Sequence, residues 1–181
     1  AQRHKDVQNG LSAPPKLNLK NLLNICTKLN WCFQMLKTKR RNFGNIFGHV
    51  KGIDDMSSLS DWVTSQFDPS LDWKDVSEIR SIWDGKLILK GIMDREDAIA
   101  AVQAGADAII VSNHGGRQLD GTISSIDALP RILDVVGNKC EVWMDGGIRS
   151  GQDILRAVAL GAKGTLIGRA FLYGLGASGQ N

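Results

Sequence analysis

Residues 107–121 have the sequence DAIIVSNHGGRQLDG, an apolar run followed by a polar segment rich in glycine. The run at 107–111 is short, apolar and partly β-branched, which is typical of a strand buried in a parallel sheet. The polar segment therefore follows the carboxyl end of a strand. In α/β proteins that end of the sheet carries the chemistry.

The segment after this strand places two chemically useful side chains three residues apart. His114 can exchange a proton near neutral pH, and Arg117 can form two parallel hydrogen bonds with a carboxylate. Gly115 and Gly116 permit a left-handed backbone and let a flat ligand approach the chain closely. A lone histidine is more often structural, but a histidine, two glycines and an arginine after a strand predict an active-site loop.

The composition indicates a folded protein. The chain has 181 residues, of which 43% are apolar and 23% charged, so it can bury a core. We expect neither a membrane span nor an export signal, because the sequence has no long apolar run and no apolar leader. Separately, we expect that upstream sequence is missing, because the first residue is not Met. Cys26, Cys32 and Cys140 lack metal-ligand spacing, so we expect reduced thiols and no metal site.

The net charge of +3 combines two unlike parts. Residues 7–53 hold eight Lys or Arg and no Asp or Glu, whereas the residues from 54 onward hold 12 Lys or Arg and 18 Asp or Glu. Between residues 18 and 41, basic side chains are interleaved with Leu, Trp and Phe, a composition that anionic lipid surfaces attract. We predict that residues 1–56 form a basic segment, partly amphipathic or disordered, that contacts a membrane. A solvated loop or a helix packed on the protein itself is the alternative, and no nucleic-acid motif accompanies the charge.

Strand-like and helix-like patterns alternate after this segment. They predict helices at 57–67 and 73–83, strands at 86–90, 107–112, 141–144 and 164–167, and helices between them at 94–104, 125–136 and 151–160. Four βα units predict a parallel sheet with right-handed crossovers. A complete (β/α)8 TIM barrel needs about 250 residues. We therefore predict an α/β fold in which residues 57–181 form the C-terminal half of such a barrel, preceded by the basic loop segment.

Polar groups or glycines stand at the predicted carboxyl end of every strand. They are Lys90-Gly91, Ser112-Asn113-His114, Asp145-Gly146-Gly147-Ile148-Arg149 and Gly168-Arg169. In the last two loops, glycine amides, helix N-termini and the guanidinium groups of Arg149 and Arg169 predict a phosphate site. Asp145 is expected to accept hydrogen bonds from ligand hydroxyls, and Lys90, at the end of its strand, to stabilise negative charge on an electron-accepting ring. A tight turn at Asp145 and a surface ion pair at Arg169 are the alternatives.

Together these residues resemble the FMN-dependent L-2-hydroxy-acid dehydrogenase and oxidase family, most of all its bacterial L-lactate dehydrogenase branch. The resemblance runs through residues 67–74, 89–91, 112–121, 145–150 and 168–172. The sequence SNHGGRQ at 112–118 is highly specific for that family. The resemblance implies that the cofactor is FMN and that an L-2-hydroxy acid is oxidised to the 2-oxo acid.

The resemblance also implies roles for individual residues. His114 is similar to the family's proton-abstracting base, Arg117 to the arginine that binds the substrate carboxylate, and Lys90 to the residue that supports reduced flavin. Ser112 resembles a flavin contact, and Arg3 falls where the family has a second arginine at the substrate site. The residues that resemble the site of the FMN ribityl phosphate are Asp145, Gly146, Gly147, Arg149, Gly168 and Arg169.

For the whole protein, the resemblance implies oxidation of L-lactate to pyruvate with a quinone or cytochrome as electron acceptor. It also implies a homo-oligomer that is cytoplasmic or bound to the inner face of the cell membrane. Oxidation of glycolate or mandelate, a non-catalytic half-barrel that binds a phosphate ligand, and a lipid-surface module stay open as alternatives. The family's first four strands, and the aspartate that pairs with its base, are absent from these 181 residues. We therefore expect a fragment, or a chain that works only with the missing half.

Overall fold

A computed structural model of the chain describes residues 8, 18–39, 43–46, 48–53, 56–119 and 121–179. The chain divides into two compact units, Gln2–Ser70 and Leu71–Asn181. The two units divide at Ser70. The predicted division at residue 56, between a basic segment and a half-barrel, is a different boundary and stays a prediction.

The first unit contains the helices α1 (Leu19–Cys26), α2 (Leu29–Lys37) and α3 (Met56–Ser65). Asn18 caps α1, because its side-chain oxygen accepts a hydrogen bond from the backbone N–H of Asn21 at 2.8 Å. α1 and α2 contact each other, and Cys32 Sγ of α2 donates to the carbonyl of Ile25 in α1 at 3.3 Å. Among the described residues, every helix is too short or too polar to cross a bilayer.

The apolar side chains of α1 and α2 are exposed. No residue of either helix is buried, and Leu19 and Leu36 are 74% and 72% exposed. Trp31 and Phe33 are more than half exposed, and the Lys37 ammonium lies 4.3 Å from the centre of the Phe33 ring. The amphipathic pattern of this segment therefore takes the form of two short helices whose apolar side chains are largely exposed among the described residues.

The second unit is a layer of parallel strands with helices between them. It begins with α4 (Trp73–Ile82) and continues through β1 (Ile88–Ile92), α5 (Arg95–Gln103), β2 (Ala108–Ser112), α6 (Ser125–Val136), β3 (Glu141–Asp145), α7 (Gly151–Ala159), β4 (Thr165–Leu166) and α8 (Arg169–Ser178). A short 3-10 turn, His114–Gly116, follows β2. The sheet order is β1-β2-β3-β4, all parallel, with β1 and β4 at its edges. This arrangement confirms the predicted α/β fold of four βα units.

The core lies between the sheet and its helices. Ile109 and Val111 of β2, which point to the same face of the sheet, have no exposed surface. Leu129 and Ile132 of α6 are also fully buried and pack in the same cluster. Their spacing places them on one face of the helix. The core thereby fixes the strand ends from which the polar loops emerge.

β1 begins two residues later than the sequence indicates. Asp107, which precedes β2, accepts hydrogen bonds from Lys86 Nζ at 2.8 Å and from the N–H of Leu87 at 2.9 Å. These two bonds hold the pKa of Asp107 below its usual value. They also connect the residues just before β1 to the residue just before β2. The strand then runs to Ile92, with a register shift after Lys90. Lys90 therefore lies inside β1 and not at its end, which corrects the expectation from the sequence.

Candidate active site

A cavity of about 680 Å³ opens at the carboxyl ends of the strands. The predicted site residues that line it are Lys90, His114, Arg117, Asp145, Gly146, Gly147, Arg149, Gly168 and Arg169. Ser112 lies at the end of β2 and is only 1% exposed. Arg3 lies outside the described residues. The structure thus brings together nine residues, Lys90 from within β1 and the others from at or just beyond the ends of β2, β3 and β4, while the roles assigned to them stay predictions.

Lys90, Ser112 and Asp145 form one hydrogen-bonded group across three strands. Lys90 Nζ lies 2.5 Å from Asp145 Oδ2 and 3.0 Å from Ser112 Oγ, and Ser112 Oγ donates to Asp145 Oδ2 at 2.8 Å. Burial acts to raise the pKa of Asp145, but the hydrogen bonds from Lys90 and Ser112 outweigh it and hold that pKa below its ordinary value. Asp145 is therefore ionised at neutral pH, and its Oδ2 atom accepts hydrogen bonds from Lys90 and Ser112.

Asp145→Asn is expected to lower the free energy of unfolding at neutral pH. The loss should lie toward the lower end of about 1–3 kcal/mol, because a charged acceptor is replaced while its partner Lys90 is partly exposed. Since the folded-state pKa of Asp145 is depressed, its stabilisation is complete above the ordinary carboxyl pKa and disappears as the pH falls through the folded value. Urea unfolding of both proteins measures this difference, and the two stabilities should converge in acid. An equal difference at every pH would contradict the assignment.

His114 has a backbone conformation that non-glycine residues rarely adopt. Its φ is +54°, and Gly115 and Gly116 continue in the left-handed region at +65° and +69°. The N–H of His114 donates to Ser112 Oγ at 3.1 Å. Its imidazole lies against Gly91, where an added Cβ would stand 2.8 Å from His114 Cε1. The imidazole can therefore occupy this position only because residue 91 of β1 has no side chain.

The glycine turn after β3 and the start of α8 form the basic side of the cavity. Gly146 and Gly147 have φ of +100° and +80°. α8 begins after Gly168, and among the described residues no side chain caps its first amides. Arg149 and Arg169 line the same cavity, and Arg169 Nη2 donates to the carbonyl of Gly115 at 3.3 Å. Uncapped amides beside two guanidinium groups are the donors that a phosphate group needs.

At the start of α7, the backbone N–H groups just before the helix already have a partner. The N–H groups of Arg149 and Ser150 donate to Asp153 Oδ2 at 3.1 and 3.0 Å. The bond from Arg149, followed by that from the Ser150 hydroxyl, holds the pKa of Asp153 below its usual value. The sequence indicates that both final helices offer their N-termini to a phosphate. Asp153 thus occupies the N–H groups of Arg149 and Ser150, which precede α7, while the phosphate role of this loop stays a prediction.

Sequence reasoning gave no separate role to several residues around the cavity, among them Asn113, Ser125 and Tyr173. Asn113 and Ser125 support the His114 loop through hydrogen bonds, and Ser125 is 3% exposed. Tyr173 of α8 lines the cavity wall. Asn113 carried a usable signal, because an Asn side chain commonly accepts a bond from the backbone two residues ahead. Ser125 and Tyr173 lie within helices, where the sequence pattern does not reveal what a side chain contacts.

A parallel α/β layer with a basic, glycine-rich cavity around a histidine at its strand ends is the architecture of a cofactor-binding (β/α)-barrel enzyme. The chain belongs to the FMN-dependent dehydrogenase family, whose model matches residues 1–181. This assignment confirms the predicted family, its class of oxidoreductases and FMN as the family's cofactor.

Several relatives are close in sequence. The chain is 46% identical over 182 residues to an L-lactate dehydrogenase of Haemophilus influenzae (strain PittEE), covering 98% of this chain and 47% of that protein. It is 45% identical over 181 residues to an L-lactate dehydrogenase of Caulobacter sp. (strain K31), with the same two coverages. The chain thus spans about half the length of the curated relatives it matches.

Solved structures agree with the predicted partial barrel. A monotopic membrane protein, (S)-mandelate dehydrogenase, is 34% identical with a TM-score of 0.87, and the match covers 98% of this chain and 46% of that one. A mandelate oxidase with (S)-4-hydroxymandelic acid is 48% identical with a TM-score of 0.63, over 68% of this chain and 35% of that one. The high TM-score over nearly the whole chain, with less than half of the neighbour matched, is what half of a barrel produces.

The residues of the cavity fit FMN. Gly147 and Gly168 have open space where a Cβ would stand, so their backbone is accessible to a ligand. Arg149 and Arg169 offset the charge of a phosphate, and Lys90 supplies a cation at another part of the same cavity. The cavity volume of about 680 Å³ also lies within the range usual for cofactor sites.

Proposed function

We propose that this chain carries the cofactor and catalytic loops of an FMN-dependent enzyme that oxidises L-lactate to pyruvate. The observation that carries the proposal is the presence of His114 and Arg117 in one cavity with the basic glycine turns at 146–147 and 168. A base, a carboxylate-binding cation and a phosphate site in one place suit an anionic hydroxy acid beside a phosphorylated cofactor.

The proposed roles follow from the chemistry of the side chains. His114 accepts a proton from the substrate as its Cα–H bond breaks, and Arg117 holds the carboxylate through a fork of two hydrogen bonds. Bound FMN supplies the two-electron acceptor. Lys90, held by Asp145 and Ser112, places positive charge where the cofactor gains electrons.

The remaining cavity residues are proposed to hold the cofactor. The phosphate is bound by the turn at Gly146 and Gly147, by Gly168 at the start of α8, and by the side chains of Arg149 and Arg169. Arg3 is proposed as a second arginine for the substrate carboxylate. The electron acceptor is proposed to be a quinone or cytochrome, and homo-oligomer formation stays a prediction.

L-Lactate is preferred over mandelate as the proposed substrate because the similar L-lactate dehydrogenases match nearly the whole chain at 45–46% identity. Mandelate is the second candidate, since (S)-mandelate dehydrogenase is the structural neighbour with a TM-score of 0.87. Flavin absorbance of the FMN-loaded enzyme, followed without oxygen, separates them. L-Lactate should bleach the flavin fastest among lactate, (S)-mandelate and glycolate. Faster bleaching by (S)-mandelate would make mandelate the preferred substrate. No bleaching by any of the three acids would favour a non-catalytic protein that only binds its ligand.

Arg117→Lys is expected to raise the substrate concentration for half-maximal flavin reduction by about tenfold, or about 1.4 kcal/mol of binding. A point charge replaces a planar fork, so one of two parallel hydrogen bonds is lost. The reduction rate at saturating L-lactate should change less than this constant. Arg131→Lys, at an exposed position of α6, is the matched control. An unchanged half-saturation constant in Arg117→Lys would count against the carboxylate contact.

We also propose that α1 and α2 bind the anionic inner surface of the cell membrane. Their exposed apolar side chains, together with Lys20, Lys28 and Lys37, form the kind of surface that inserts into lipid headgroups. The similar (S)-mandelate dehydrogenase is a monotopic membrane protein, which supports the proposal.

Co-sedimentation with vesicles that contain anionic lipid tests this membrane proposal. Replacement of Lys20, Lys28 and Lys37 by Gln should weaken binding by about 1 kcal/mol for each lysine, and added salt should weaken the binding of the unmodified protein. Lys139→Gln with Lys163→Gln, both exposed in the second unit, removes charge elsewhere and should leave binding nearly unchanged. Equal losses in the two sets of variants would contradict a specific role for the two helices.

A further inference from the structure

One side chain ties together the loop that carries both His114 and Arg117. Asn113 Oδ1 accepts a hydrogen bond from the N–H of Gly115 at 3.0 Å, at the first turn of the loop. Asn113 Nδ2 donates to the carbonyl of Ile123 at 3.3 Å, where the loop returns to α6. The amide thus uses both of its ends within one segment, and the segment between them contains the two residues with proposed chemistry.

Ser125 anchors Asn113 to the core. Its hydroxyl oxygen accepts a hydrogen bond from the backbone N–H of Asn113 at 3.3 Å, and the residue is 3% exposed at the start of α6. The same helix buries Leu129 and Ile132 completely. Ser125 is therefore held by the packing of α6, and it gives the loop a fixed point at the edge of the core.

The glycine turn after β3 rests on the same pair. A Cβ at Gly146 would stand 3.2 Å from Ser125 Oγ and 3.4 Å from Asn113 Oδ1. Close approach of the turn to these two polar atoms therefore depends on a glycine. Three segments meet at Asn113 and Ser125: the His114 loop, the start of α6 and the turn proposed to bind phosphate.

The loop needs external support because its backbone is strained. His114 lies at φ +54°, and two more left-handed residues follow it. A non-glycine residue persists in this region only when the surroundings hold it there. The supports are the bond from His114 N to Ser112 Oγ at 3.1 Å and the bond from Gly115 N to Asn113 Oδ1.

We propose that Asn113, anchored by Ser125, is a positioning residue that holds His114 and Arg117 in their working places beside the glycine turn. The inference rests on the proposed function, which assigns those two residues their chemistry. Asn113 itself acts through the backbone of the loop. Its removal should leave the cofactor cavity in place while the imidazole loses its fixed orientation.

The test compares Asn113→Ala with Asn113→Ser in the FMN-loaded enzyme. Asn113→Ala should slow flavin reduction by L-lactate by about 100-fold, because small misplacements of reacting groups have effects of that size. Asn113→Ser should recover part of the loss, since a hydroxyl can accept the Gly115 N–H in the same kind of turn. FMN should stay bound in both variants.

A second readout does not depend on activity. Hydrogen exchange of the Gly115 amide, measured by NMR, should become faster in Asn113→Ala and remain partly protected in Asn113→Ser. Ser124→Ala is the matched control, because Ser124 caps α6 through Asp127 and stands beside Ser125 in sequence. It should lower the thermal midpoint without changing Gly115 exchange or the rate of flavin reduction.

The outcomes separate this inference from the function on which it rests. Unchanged reduction and unchanged Gly115 exchange in Asn113→Ala would overturn the positioning role. A rate loss in Ser124→Ala as large as that in Asn113→Ala would also overturn it, because general destabilisation would then explain both. Failure of the unmodified full-length enzyme, with both halves of the barrel, to be reduced by any 2-hydroxy acid would refute the proposed function. It would also refute the catalytic roles of His114 and Arg117 to which the inference refers, whatever the exchange data show.

Discussion

His114→Ala is expected to leave FMN bound and to slow reduction of the flavin by L-lactate by about 10²–10⁴-fold, the usual contribution of a general base. The imidazole lines the cavity that also contains Arg117, while the residues proposed to hold the phosphate lie in other loops. Loss of the ring therefore removes the proton acceptor and leaves the phosphate donors. Rapid mixing of the FMN-loaded enzyme with L-lactate, followed by flavin absorbance, measures the rate.

The control for this substitution is His49→Ala, an exposed histidine of the first unit. It should reduce its flavin at the rate of the unmodified protein. Retention of the full rate in His114→Ala would refute the assigned base. Loss of FMN together with the rate would show instead that the imidazole is needed for cofactor binding.

Gly91→Ala is expected to slow flavin reduction by about 100-fold although residue 91 has no chemical group to offer. The added methyl would stand 2.8 Å from His114 Cε1, so the imidazole must move, and a misplacement of about 1 Å can have an effect of this size. Gly91 also has φ +98°, so the substitution should destabilise the fold by about 1–3 kcal/mol. Rapid-mixing kinetics and urea unfolding measure the two effects separately.

Gly105→Ala separates backbone strain from displacement of the imidazole. Gly105 has φ +87° but lies before β2, at the opposite end of the strands from His114, where its Cβ would approach the aliphatic part of Arg80. Both substitutions should lower stability, whereas only Gly91→Ala should slow reduction strongly. Equal kinetic effects would mean that strain, and not the position of the ring, limits the rate.

The elements of the half-barrel could be predicted because burial leaves a local pattern in the sequence. β2 is an unbroken apolar run, and α6 repeats its apolar residues at helical spacing between Ser124 and Gly137. The start of β1 was missed by two residues because Lys86 Nζ and the Leu87 N–H donate hydrogen bonds to the Asp107 carboxylate before the strand begins. A propensity pattern contains no information about a partner twenty residues away.

The residues of the site were predictable as a group, since parallel strands bring their carboxyl ends to one edge of the sheet. The hydrogen bonds between these residues could not be predicted. Ser112 lies opposite Asp145 in the register of β2 and β3, but Lys90 reaches both from inside β1, which the sequence pattern does not reveal. The bonds from Arg149 and Ser150 to Asp153 were also not predictable as a sign of ligand binding, because a carboxylate in the first turn stabilises a helix whether or not a ligand is near.

The phosphate site proposed at Gly168 would link ligand affinity to the folding of α8. A helix whose leading amides have no capping side chain unravels more easily, and an anion seated there supplies the absent acceptor. Occupancy and helical order must then rise in step, with a gain in stability of RT ln(1 + [L]/Kd). The phosphate of FMN would thus cap α8, and removal of FMN would loosen that helix.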